Sequence, residues 1–233
     1  MVGLASQGPL GVKTRAVRQR PRNQRPNPMG VIVQKLQQGK QAEGIQLLEL
    51  LLSHPPDDPL VLSNLGLALS DAGRLERAEQ CLRRAMELNP EDTNIPVALG
   101  VALSRMGQPD EAVEVLRAAV TQDQKNPWAH RNLGTMLVGT GQAKEAIPHF
   151  QAATQLWPND QRAWLGLADA CRLAGRTQES EDASAAAIQI SPHNDLAEKA
   201  RAGRNLLAQC GFERVRQVIP RLNAAHLTLR LAS

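Results

Sequence analysis

The chain has 233 residues, of which 42% are hydrophobic and 21% charged, so it can bury a sizeable core and is expected to be a folded, soluble protein. Aromatic residues are scarce, with three Trp, two Phe and no Tyr, which points to a core of Leu, Ala, Val and Ile and hence to helices packed on helices. The net charge of +4 is uneven: residues 1–28 hold six basic and no acidic side chains, residues 29–194 hold 14 basic and 20 acidic, and residues 195–233 hold seven basic and three acidic.

The first element in chain order is the basic stretch 1–28, which includes "KTRAVRQRPRNQRP" (Lys13 to Pro26). Its composition predicts a disordered arm. An arm of this charge can also contact nucleic acid or an anionic surface, but it has no aromatic residue on which a base could stack. An organelle transit segment and a start at Met29 are further readings that stay open.

From residue 25 the chain repeats itself every 34 residues, without a gap, as 25–58, 59–92, 93–126, 127–160 and 161–194. Repeat position 15 is glycine in all five: Gly39, Gly73, Gly107, Gly141 and Gly175. Position 20 is small (Gly44, Ala78, Ala112, Ala146, Ser180), and position 32 is proline except at Gln124. Apolar or small residues at positions 4, 7, 8 and 11 form one helical stripe, and those at positions 20, 24 and 27 form another. Two helices per repeat follow. The glycine is expected to supply the left-handed turn between them, and the proline to mark where the second helix stops.

The stretch "GTMLVGTGQAK" (Gly134 to Lys144) superficially resembles a phosphate loop, but Thr140 stands where the lysine must be. The repeat explains its glycines: Gly134 permits close helix approach, Gly139 lies late in a first helix and Gly141 in the turn after it. After the repeats, residues 195–209 are expected to form a polar capping helix beginning at a capping residue. Residues 210–233 form a basic extension in which Phe212, Val215, Val218 and Ile219 share one face before Pro220.

This pattern resembles the tetratricopeptide repeat family over about residues 25–194. The resemblance is carried by Leu65, Gly66, Ala78, Leu82, Ala85 and Pro90, and by Leu133, Gly134, Ala146, Phe150, Ala153 and Pro158. Leu99, Gly100, Ala112, Leu116 and Ala119 carry it in the third repeat, and Trp164 supplies an aromatic at position 4. The usual position-11 tyrosine is replaced by Lys35, Leu69, Leu103, Leu137 and Cys171, and Ile32 and Ser184 mark degenerate end repeats. The implied fold is all-α, a right-handed superhelix of antiparallel helix pairs with about five repeats and a C-terminal cap.

If positions 4, 7, 8 and 11 face neighbouring helices, positions 2, 6, 9 and 13 face the other way, the side that lines the concave groove in the family. These are Leu60, Asn64, Leu67 and Asp71; Asn94, Ala98, Val101 and Arg105; Trp128, Asn132, Thr135 and Gly139; and Arg162, Gly166, Asp169 and Leu173. Asn64 and Asn132 resemble part of the asparagine ladder of the repeat region of O-GlcNAc transferase, in which amides pair with a peptide backbone. The alternative is that both are simply solvated. Trp128 reads either as an anchor for a partner or as packing on the next repeat. Arg131, Asn132 and Arg162 are candidates for a carboxylate clamp like that of chaperone-binding members, but Thr135 and Gly166 occupy the positions of its supporting residues.

Catalytic and metal chemistry find no pattern. The five histidines have no metal-ligand spacing, the three cysteines form no paired motif, and no cofactor is implied. The expected function is a cytoplasmic, non-enzymatic scaffold binding a peptide segment or helix of a partner protein. Binding of nucleic acid or an anionic surface through the basic ends is an alternative. Others are self-association through the end repeats and membership of a larger transferase-type architecture. No run is long and apolar enough to span a membrane.

Overall fold

The computed structural model describes residues 28–53 and 57–205. Residues 1–27 of the basic arm, residues 206–209 of the expected capping helix, and the extension 210–233 lie outside them. Ten helices follow in order: α1 (Pro28–Gln37), α2 (Gln41–Leu52), α3 (Pro59–Asp71), α4 (Leu75–Leu88), α5 (Asn94–Arg105), α6 (Pro109–Gln122), α7 (Pro127–Gly139), α8 (Ala143–Leu156), α9 (Gln161–Ala174) and α10 (Thr177–Ile190). Residues 195–205 are also helical and are designated α11. From α1 to α10 each helix packs on its neighbours in sequence, giving an all-α solenoid of antiparallel pairs. No described helix is long and apolar enough to cross a membrane.

One device makes every turn within a pair. The position-15 glycines all have φ between 74° and 82°, a conformation that a Cβ would strain. The next residue's N–H then reaches back to the position-11 carbonyl: Lys40 to Lys35, Arg74 to Leu69, Gln108 to Leu103, Gln142 to Leu137 and Arg176 to Cys171, at 2.7–3.0 Å. This closes the last turn of each first helix.

A second device starts the next repeat. Repeat position 34 is Asp58, Asp92, Asn126, Asp160 and Asn194, and each side chain accepts a hydrogen bond from a backbone N–H two or three residues on. These side chains satisfy N–H groups that would otherwise lack partners at a helix start. The α11 cap is therefore Asn194, which accepts from Ala197, one residue before the expected Asp195.

The prolines of position 32 do not determine where second helices stop. α6 ends at Gln122, at the same repeat position as α4 at Leu88, although Gln124 replaces the proline there. Pro148, by contrast, sits inside α8 without ending it.

The core follows the two stripes. Leu82, Leu116 and Phe150 are fully buried, each pressed against the position-8 glycine of its own repeat. A Cβ there would lie 2.5 Å from Leu82 at Gly66, 2.7 Å from Leu116 at Gly100 and 2.9 Å from Phe150 at Gly134. The close helix approach expected at Gly134 is present, while Gly139 has open space around it. Across the second helices, Glu49–Arg77, Arg83–Glu111 and Arg117–Glu145 form an exposed seam of ion pairs at 2.5–2.8 Å. Such surface pairs contribute about 0–1 kcal/mol each.

Candidate functional site

First helices of successive repeats touch one another, α3 with α5, α5 with α7 and α7 with α9. The solenoid therefore curves with these helices on its inner side. The residues at positions 2, 6, 9 and 13 lie along them, and their environments differ sharply from one repeat to the next.

Toward the N-terminal end this face is apolar. Leu60 and Leu67 are 56% and 46% exposed, and Val33 joins them from α1. A cleft of about 160 Å³ opens between α1 and α3, lined by Val33, Leu36, Asn64, Leu67 and Ala68, with Asp71 at its edge. Val101 on α5 is half-buried.

The two asparagines are set alike. Asn64 donates from Nδ2 to Leu60 O at 2.7 Å, and Asn132 from Nδ2 to Trp128 O at 2.8 Å. Each amide is pinned by its own helix, and its Oδ1 accepts from no described group. Asn94 differs. Its amide bonds Asp92 and accepts from Asn126, so it belongs to the turn between repeats. Thr135 is exposed, and its hydroxyl donates to Arg131 O.

Most charges on this face are already paired. Arg105 donates to Asp71 at 2.9 Å and to Ser70 at 3.0 Å. Arg131 donates to Asp160 at 2.7 Å, in a pair that is largely buried. Asp169 is paired with Arg172. Arg162 is exposed, and its guanidinium has no ion pair among the described residues. Arg131, Asn132 and Arg162 thus do not converge as three free donors, because Arg131 is committed to the capping residue of α9.

Trp128 packs within its own repeat rather than on the next one, and keeps part of its ring exposed. Its ring meets Trp157 edge to face with centroids 5.5 Å apart, and the two remain 43% and 40% exposed. Trp157 follows the end of α8, and nothing in the position-2 pattern marks it. The break in the asparagine row at Gly166 also has a local cause, since Phe150 of the preceding repeat occupies the space beside it.

The remaining reactive side chains lie off this face. Burial raises the Cys171 thiol to about 11, with Glu179 adding to the effect, and burial likewise raises Cys81. His149 is held below its ordinary value first by burial, then by His130 and Arg117. Among the described residues no group of three or more His, Cys, Asp or Glu side chains is placed to hold a metal ion.

Models of the tetratricopeptide repeat match residues 35–95, 71–134 and 131–195. No individually curated protein matches the chain significantly. Among solved structures, the thermophilic TPR protein TTC0263 of Thermus thermophilus is similar at a TM-score of 0.66 and 22% identity, over 76% of this chain and 97% of that one. YrrB, described as a TPR protein with an unusual peptide-binding site, has a TM-score of 0.56 at 18% identity, over 75% and 90%. MamA from Desulfovibrio magneticus RS-1 has a TM-score of 0.56 at 22% identity, over 72% and 95%. At these identities the likeness is one of fold.

Proposed function

We propose, for a chain that belongs to the tetratricopeptide repeat family, that it is a non-enzymatic scaffold holding a segment of a partner protein along its first helices. The observation that carries this reading is the equivalent setting of Asn64 and Asn132, two repeats apart, each pinned to its own helix with Oδ1 open. An amide so placed accepts from a peptide N–H and keeps one N–H to donate, whatever the peptide's side chains. The apolar residues Leu60, Leu67 and Val101 add side-chain contact at one end. Trp128, Thr135 and Arg162 add an aromatic ledge, a hydroxyl and a free positive charge at the other. The paired residues Asn94, Arg105, Arg131 and Asp169 shape and rigidify the surface between them. That YrrB carries a peptide-binding site supports the reading by analogy of fold. Free thiols at Cys81 and Cys171 suit a reducing compartment, and we place the protein in the cytoplasm.

The test is to tile a protein captured by the intact chain into peptides and measure their binding by fluorescence anisotropy. One peptide should bind the intact chain and lose at least tenfold in affinity to the N64A/N132A variant. Equal affinity for both would overturn the reading.

A further inference from the structure

The geometry points to a binding site for one late first-row divalent cation, Zn²⁺ or Cu²⁺, held between His130 Nδ1 on α7 and His149 Nδ1 on α8. This site lies apart from the peptide surface and does not depend on it. The two Nδ1 atoms are 3.2 Å apart. Two metal–nitrogen bonds of about 2.05 Å at a tetrahedral angle place their nitrogens about 3.3 Å apart. The two nitrogens already stand at a chelating separation, and the rings, now tilted by 36° to each other, must turn so that both lone pairs converge on the ion rather than on one another.

The tautomer of His130 is fixed by its other side. His130 Nε2 lies 3.1 Å from Gln124 O, and a carbonyl can only accept, so Nε2 carries the hydrogen and Nδ1 presents a lone pair. Metal-bound imidazoles are commonly supported in this way, by donation to a backbone carbonyl. Without metal, His149 donates its Nδ1–H to that lone pair. When the cation enters, this proton moves to His149 Nε2, which meets no partner among the described residues, and both Nδ1 atoms bind the ion.

Imidazole nitrogen suits Zn²⁺ and Cu²⁺ better than the hard cations Mg²⁺ or Ca²⁺. The charged neighbours of the pair, Arg117 on α6 and Glu145 on α8, neutralise each other at 2.6 Å. His130 is buried and His149 only partly so, so the cation enters from the His149 side. Water or a donor from a partner completes its coordination there.

The experiment uses the untagged full chain, titrated calorimetrically with ZnCl₂, with Cu²⁺ added in parallel for electron paramagnetic resonance. H149Q keeps an N–H able to donate to His130 Nδ1, and circular dichroism checks its fold. The intact chain should bind one Zn²⁺, and H149Q should bind at least tenfold more weakly. A variant with His54, His193 and His226 all changed to Gln should bind as the intact chain does, and the Cu²⁺ spectrum should show coupling to two nitrogens. No uptake by the intact chain, equal uptake by H149Q, or loss in the triple variant would each overturn the proposal.

Discussion

Phe150 fills the space that a side chain on Gly166 would need: a Cβ there would lie 2.3 Å from Phe150 Cε1. The same ring also abuts Gly134 in its own repeat, at 2.9 Å. A leucine stands at this position in the two preceding repeats, as Leu82 and Leu116. Glycine stands on the own-repeat side in all three, and the larger ring requires it on the next repeat's side as well, so the asparagine row ends at the fifth repeat for a packing reason.

Gly166→Ala should destabilise the chain by about 1–3 kcal/mol, the usual cost of overpacking a core. Introducing Phe150→Leu beside it should recover part of that loss, because the two positions are in contact and couple. Urea unfolding of the single and double variants measures the cycle. Strict additivity would show that Phe150 is not the obstacle.

Asp160 and Asp58 cap helices in the same way but in different surroundings. Asp160 is buried, accepts from two backbone N–H groups and is paired with Arg131, whereas Asp58 is exposed and caps alone. Asp160→Ala should cost about 3–5 kcal/mol, since it strands a largely buried guanidinium. Asp58→Ala should cost about 1 kcal/mol, the value of an ordinary cap. Comparing the two denaturation midpoints separates the effects.

Pro148 lies within α8 and is exposed. A proline inside a helix forfeits one backbone hydrogen bond and crowds the carbonyl four residues before it. Pro148→Ala should raise stability by about 1–3 kcal/mol. An unchanged or lower melting temperature would contradict this.

Cys171 is buried and its thiol is raised to about 11. At pH 8 it is almost wholly protonated and shielded, so a disulfide reagent should modify it only on unfolding. Cysteine labelling followed by mass spectrometry, with and without urea, reads this directly. Rapid labelling of Cys171 in the folded chain would contradict the packing of α9 against α10.

Much of this architecture could be read from residue spacing. Gly39 and its four equivalents announce themselves because a left-handed turn admits little else, and the face carrying Asn64 and Asn132 follows from helical geometry. The capping row from Asp58 to Asn194 obeys the same 34-residue register and was open to the same reasoning. The commitments of individual side chains were not. Arg131 meets Asp160 across 29 residues and Arg105 meets Asp71 across 34, separations set by how the helices pack rather than by the period of any one helix. Trp128 finds Trp157, and His130 finds His149, only once two helices are packed. Spacing along a chain therefore placed residues on a face without revealing which were still free to bind.

Arg162 has no ion pair among the described residues of that face. If a partner segment carries acidic side chains near the Trp128 ledge, Arg162→Glu should weaken binding at least tenfold at low salt and by less as ionic strength rises. Anisotropy titrations at two salt concentrations measure this, and an effect that does not change with salt would assign Arg162 a role other than charge.

Hydrogen exchange of the intact chain, with and without a captured partner, tests the central claim most directly. Binding along the first helices predicts slowed exchange in α3, α5 and α7, centred on Asn64 and Asn132, with the second helices α4, α6 and α8 unchanged. Protection confined to the second helices or to the two basic ends would contradict it.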